Sequence, residues 1–285
     1  MMRDPLKMRG YWRASVREAD EWREWRPATG PYRAGDLLEW GSITKGIVGT
    51  TAATLLDPNR PLSWYAPEYP NADYTIGDLV QHRSGLPRLP AGMGSNPLGQ
   101  PYRATIGQPI SAADAHPAGP RGTYCYSNIG YALLGVALDR VCGSWFDAAT
   151  QCVLEPAGIT SATIAPETER RILAPLWFGR AMRPWEFTGS PYAATGGVWS
   201  TFEDLCRYAD WALQDVPEPG NRRVSWQQNG PSTWINGEVR AAGAIIASAS
   251  GVTAVVHALD KAPHAPDKIA EALIRQTLLR ARNRA

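Results

Sequence analysis

Lysine is scarce in this chain. Four residues, Lys7, Lys45, Lys261 and Lys268, stand against twenty-five arginines among 285 residues. Long apolar runs are missing too: nothing reaches about 18 consecutive apolar residues, so no membrane-spanning helix is expected. Residues 1–10 carry charge with no apolar segment behind them, which is not a secretory signal, and the cytoplasm is the expected compartment. The four cysteines, Cys125, Cys142, Cys152 and Cys206, show no C-x-x-C spacing and no neighbouring histidine. That argues against zinc and for buried free thiols in a reducing compartment. The net charge of +2 comes from interleaved Arg and Asp/Glu with no basic block, so no nucleic-acid partner is expected. There is no internal repeat and no low-complexity tract. With 44% apolar and 20% charged residues the chain is globular, and its length suggests about two lobes.

Against that scarcity, one lysine sits in Ser42-Ile43-Thr44-Lys45. Arginine cannot give up its proton, whereas a lysine in a dry pocket can become a neutral base. Residues three apart share a helix face, so the Lys45 amine can reach the Ser42 hydroxyl and accept its proton if burial lowers its pKa. The four residues by themselves also fit a surface lysine one turn after a helix-starting serine.

Residues 10–27 read as a hairpin turning at Glu18-Ala19-Asp20-Glu21. Leu37-Leu38-Glu39-Trp40-Gly41 leads to Ser42, and Lys45 to Leu56 is small-residued, apolar and helical until Asp57-Pro58. Thr75 to Val80 opens a helix with Thr75 as N-cap and Asp78 closing a capping box. Residues 90–121 form a Pro/Gly-rich stretch of a length that usually lines or covers a site. Ile129 to Val141, closed by Gly143, and Phe202 to Leu213, capped by Thr201, are helices. Then come strands at Val224 to Gln227, Val239 to Ala247 and Val252 to Leu259, with turns at Asn236-Gly237 and Ser250-Gly251, and an amphipathic helix from Asp267 to Leu279. The expected class is α/β (α+β): an antiparallel sheet built from both chain termini, flanked by helices, with a mainly helical lobe inserted. The expected division is 1–36 with 216–285 for the sheet lobe and 37–215 for the helical lobe carrying the S-x-x-K helix.

Four ordered segments together resemble the serine beta-lactamase and penicillin-binding protein superfamily, in particular its class C branch of beta-lactamases, esterases and transacylases. They are Gly41 to Lys45, Thr75 to Leu86, Tyr124-Cys125-Tyr126-Ser127-Asn128 with Ile129 to Tyr131, and Gly196-Gly197-Val198-Trp199-Ser200-Thr201 with Asp204-Leu205. The resemblance covers most of the chain and implies a beta-lactamase/transpeptidase-like fold. It implies that Ser42 is the nucleophile at a helix N-terminus, that Lys45 shares its proton, and that Tyr126 is the partner base, its phenolate favoured by the ammonium. Asn128 would hold Lys45 and a substrate oxygen. His82 is expected to pack and hydrogen-bond, not to act as a base. Trp234 and Trp199 are candidates for an acyl pocket.

The family's third motif, K-T-G, H-T-G or H-N-G on the strand facing the serine, is best matched by Gln228-Asn229-Gly230. Uncharged Gln228 weighs against tight binding of a carboxylate. The next residue, whose amide completes the family's oxyanion hole, would then be Pro231, which has no N–H. The expected activity is hydrolysis of a small-molecule ester or amide through acyl-Ser42; the alternatives are a transacylase passing the acyl group to an amine or alcohol and, on account of Pro231 and Gln228, a non-catalytic binder of an acyl compound. No cofactor or metal, no nucleic acid and no membrane is expected; the partner is a small-molecule acyl substrate. The helix that normally precedes the family's hairpin is not evident, so one sheet face would be less covered and a homo-oligomer is possible.

Overall fold

The structure, a computed structural model, describes residues 10–19, 21–25, 30–93, 99–175, 181–215, 221–259 and 265–283. The segment before the hairpin, part of the 90–121 loop, and Lys7, Lys261 and His264 lie outside the described residues.

Alternating residues open the chain as a hairpin, β1 (Tyr11–Glu18) and β2 (Glu21–Trp25). A two-residue strand, β3 (Leu38–Glu39), leads through a 3-10 turn, Gly41–Ile43, into α1 (Thr44–Leu55). Short helices α2 (Leu62–Tyr65) and α3 (Ile76–Val80) follow. At the start of α3 the Thr75 hydroxyl accepts from the Asp78 amide and the Asp78 carboxylate accepts from the Thr75 amide, the expected capping box. The long α4 (Asn128–Cys142) is capped by Ser127 and ended by Gly143 at φ 82°. Next come α5 (Trp145–Ala149), a π-helical turn at Thr150–Leu154, α6 (Ala193–Gly196) and β4 (Trp199–Ser200), which pairs with β3. Then α7 (Phe202–Leu213) is capped by Thr201 as expected. The chain closes with β5 (Gln227–Asn229), β6 (Ser232–Val239), β7 (Ala242–Ala249), β8 (Val252–Leu259) and α8 (Ala265–Arg282).

Both ends of the chain meet in one antiparallel sheet of order β2-β1-β8-β7-β6-β5. Strand alternation sorts its residues onto two faces. Trp12, Ala14, Val16, Ala254 and Val256 pack under Ile269 and Leu273 of α8. Ile235, Ala244, Ile246 and Val255 face the helices and join Ile43, Ile47, Leu134 and Tyr208 in a continuous core. On the outer half of the α8 face, Trp234, Ala247, Ile274 and Leu278 line a groove of about 920 Å³. Arg13 and Arg17 of β1 reach α7 through Glu203 and Asp210.

Three strand expectations need correction, the first being Val224 to Gln227, of which only Gln227 lies in a strand, at the start of β5. Asn236-Gly237 is not a turn: it lies inside β6, and the chain reverses at Arg240-Ala241, with Ala241 at φ 61°. The Asn-Gly pair is a turn signal only where a positive φ is required, and here glycine serves close packing instead. The stretch from Ser232 to Ile235, absent from the expected strands, pairs with β7, and its first three residues pair with β5 as well. The cysteines are free, but Cys125 and Cys142 are exposed and not buried. Among the described residues no helix is long and apolar enough to cross a membrane.

Candidate active site

Ser42 sits where the 3-10 turn hands the chain to α1. Its neighbour Gly41 holds φ 52°, and a Cβ there would stand 3.1 Å from the Glu238 nitrogen and from the Gly237 carbonyl carbon. Glycine at 41 is thus required both by conformation and by the approach of β6.

Three side chains converge. The Tyr126 hydroxyl donates to Ser42 Oγ at 2.7 Å, and Lys45 Nζ is 3.0 Å from the same oxygen. Lys45 Nζ also donates to the Thr195 carbonyl, at 2.6 Å. Lys45 is 2% exposed, and its pKa lies well below the ordinary lysine value, first because burial penalises the ammonium and then because Arg88 is near. A neutral amine fits the bonds around it. Tyr126 O–H donates to Ser42, Ser42 O–H can donate to Lys45, and a Lys45 N–H donates to Thr195.

The protonation of Tyr126 departs from expectation. Burial pushes it up to about 12, with the Ser42 hydrogen bond and Arg88 pulling down and Glu238 pushing up. Burial that disfavours the Lys45 ammonium also weakens the charge that would favour a phenolate, and with its own pKa raised Tyr126 holds its proton at neutral pH.

Asn128 opens α4 beside this cluster, but it does not hold Lys45. Its Nδ2 donates to the Tyr102 hydroxyl at 3.2 Å, and its buried Oδ1 has no hydrogen-bond partner among the described residues. Tyr102 comes from the 90–121 stretch and packs on Phe187 and Tyr192, so that stretch contributes one residue next to Asn128. The lysine's anchor, Thr195 in α6, was not singled out from the sequence. A backbone carbonyl has no residue signature, although Thr195 immediately precedes the Gly196-Gly197 segment.

His82 lies behind Tyr126. Its carbonyl accepts from the Cys125 amide at 2.8 Å, and its Nδ1 accepts from the Ser127 amide at 3.1 Å. The ring lies tilted against Tyr126 at 4.6 Å and against Tyr131 at 4.9 Å between centres. Burial, then Lys45, pushes its pKa down to about 3, so the ring is neutral and grips the tyrosine loop from both sides.

The third-motif assignment is corrected by geometry. Gln228, Asn229 and Gly230 are exposed in the β5–β6 hairpin, Gly230 at φ 56°, and Pro231 follows at the exposed turn. The strand segment against the serine is Ile235-Asn236-Gly237. A Cβ on Gly237 would stand 2.0 Å from the Trp40 carbonyl oxygen and 2.5 Å from the Ser42 nitrogen. The residue after this glycine is Glu238, which keeps its backbone N–H. Asn-Gly in an alternating strand was the available signal, outcompeted by the second Asn-Gly seven residues earlier. The acyl-pocket candidates move as well: Trp234 packs on the α8 face, and Trp199 is buried in β4 beneath Arg171. Among the described residues no group of three or more His, Cys, Asp or Glu could hold a metal ion.

Comparison with known proteins places this geometry. A family model described as Beta-lactamase matches residues 11–251. The class C beta lactamase of Rhodobacter sphaeroides superposes with TM-score 0.72 at 19% identity, over 95% of this chain and 95% of that one. The D-amino acid amidase of Ochrobactrum anthropi SV3, solved with L-phenylalanine amide, gives 0.73 at 17% identity, over 96% of this chain and 94% of that one. At such identities the likeness establishes the fold. A curated relative, the unguisins hydrolase ungD' of Aspergillus campestris (strain IBT 28561), is 26% identical over 153 residues, 47% of this chain; the match spans 28% of that protein's length.

Proposed function

The chain belongs to the Beta-lactamase family, and from that membership we propose that it is a serine acyl-transfer hydrolase acting on an ester or amide of a small molecule through acyl-Ser42. The observation that carries this is Ser42 Oγ held between a buried amine at 3.0 Å and a phenol at 2.7 Å. As Oγ bonds to the acyl carbon, Lys45 takes its proton and the carbonyl π electrons move to oxygen. The oxyanion is received by the Ser42 amide and by the amide of Glu238, the position that the family resemblance gives to the second donor. When the tetrahedral intermediate collapses, the bond to the leaving group breaks. Tyr126 gives its proton to the departing atom and is reprotonated from Lys45. Water then repeats the sequence in reverse on the acyl-enzyme.

Relocating the third motif withdraws the Pro231 argument for a non-catalytic reading, since in this register the amide of Glu238 takes the place of the donor that Pro231 lacks. The names of two relatives, a hydrolase and an amidase, support the reaction class and leave the substrate open. We place the protein in the cytoplasm, a reading supported by four free cysteines of which two are exposed.

Intact-mass spectrometry after incubation with a fluorophosphonate and a panel of esters, amides and beta-lactams tests the proposal, with Ser42→Ala as control. A Ser42-dependent phosphonyl adduct establishes the nucleophile, and Ser42-dependent acyl adducts from the ester, amide and beta-lactam panel that decay in water support hydrolysis. An adduct that clears only when an amine or alcohol acceptor is added points to transacylation, and no adduct at all overturns it.

A further inference from the structure

Ile235, 4% exposed, stands where the resemblance places the third motif's lysine or histidine, so that position offers no cation. The opposite wall does. Arg88 lies three residues past Gly85, and its carbonyl accepts from the Asn128 amide at 2.9 Å, which fixes it to the loop that carries Tyr126. Its guanidinium carbon stands 5.3 Å from the centre of the Tyr126 ring. The side chain is exposed, and among the described residues it has neither an ion pair nor a hydrogen-bond acceptor. Other arginines, such as Arg13 at Glu24 and Arg140 at Glu68, are paired with carboxylates.

We propose that Arg88 is a specificity residue that binds a carboxylate on the leaving-group side of the acyl donor. This rests on the acyl-transfer reading, in which Tyr126 protonates the departing atom. A cation held over the Tyr126 ring is therefore beside the part of the substrate that leaves. A guanidinium presents paired N–H donors that match both oxygens of a carboxylate. Glu238 limits where the anion can sit, because its carboxylate also acts on Tyr126 with the opposite sign, and the bound anion must lie on the Arg88 side. A leaving group of this kind is an amine or alcohol that carries its own carboxylate.

The test uses two esters with one acyl group, 3-carboxyphenyl acetate and its neutral partner 3-carbamoylphenyl acetate. The wild type should favour the carboxylate ester in kcat/KM by about 10-fold at low salt, with the preference shrinking as salt rises. Arg88→Gln should abolish the ratio, and Arg88→Lys should keep part of it. Because Arg88 also acts on Lys45, both esters can slow in the variant, and the ratio separates recognition from that shared effect. An equal loss on both esters, or no preference in the wild type, overturns the proposal. Calorimetric titration of 3-hydroxybenzoate and 3-hydroxybenzamide into the wild type and Arg88→Gln reads the same selectivity without turnover. Failure of Ser42 chemistry is thus distinguished from failure of Arg88. Equal binding of the two phenols by the wild type overturns the assignment.

Discussion

Gly237 and Ser42 meet backbone to backbone: there is no room for a single methyl group between the strand and the serine amide. Gly237→Ala would have to push β6 away from Trp40 and Ser42, because its contacts are backbone atoms that cannot rotate aside. Overpacking of this kind typically costs about 1–3 kcal/mol, and displacing the Glu238 amide should slow Ser42 phosphonylation by about 100-fold. Pro231→Gly, on the exposed turn, should leave that rate within about 2-fold. Labelling rates and urea melts of the two variants check both expectations. A fully active Gly237→Ala protein is the contrary result.

The acid limb of activity should report Lys45. Only the neutral amine accepts the Ser42 proton, so the rate should rise with pH through the depressed lysine pKa. Arg88 contributes to that depression, and Arg88→Gln should therefore move the limb to higher pH. Lys45→Arg should lose nearly all activity at any pH, since arginine stays charged. A pH–rate profile of Ser42 labelling gives each answer.

His82 combines φ 57° with a ring nitrogen that accepts from the Ser127 amide at 3.1 Å. Asparagine tolerates that backbone region and can offer an oxygen near the same place, whereas valine does neither. His82→Val should cost about 1–3 kcal/mol through the orphaned amide, with reduced labelling as Tyr126 loses its backing. His82→Asn should recover most of both. Equal effects of the two substitutions in melts and labelling would remove the clamp argument.

Glu39 is buried beside β4, and burial raises its pKa to about 8, with Arg171 lowering it and Glu186 raising it. Its folded-state value lies above the unfolded value of 4.5. Between the two the folded protein holds a proton that the unfolded chain has released. Stability from this group is thus complete below the unfolded pKa and falls as pH rises, until the folded state also ionises near pH 8. Glu39→Gln removes the ionisation. Denaturant melts at pH 5 and pH 9 should show the variant gaining on the wild type as pH rises; a gap independent of pH contradicts this.

What could be read from the sequence was what is local. Ser42 and Lys45 are one helical turn apart, Thr75 and Asp78 close a box within one turn, and Thr201 precedes the helix it caps. The site's remaining parts depend on long-range contacts. Gln228-Asn229-Gly230 and Ile235-Asn236-Gly237 are equally plausible as text, and only the packing of β6 on Trp40 and Ser42 selects the second. Tyr126 could be placed by its motif, but its protonation depends on how deeply the folded chain buries it and on Arg88 and Glu238. Thr195 contributes a peptide oxygen, which every residue type would supply.

That last point bears on how such a site withstands sequence drift. Lys45 Nζ is anchored by the main chain of α6 and, on its other side, lies 3.0 Å from Ser42 Oγ and 5.0 Å from the centre of the Tyr126 ring. No side-chain replacement at position 195 can delete the acceptor; only a change in the path of the chain can. Selection on the lysine's position therefore acts on the course of the backbone and leaves residue identity around it free to vary. That is consistent with a fold retained at 17–19% identity to the beta lactamase and the amidase.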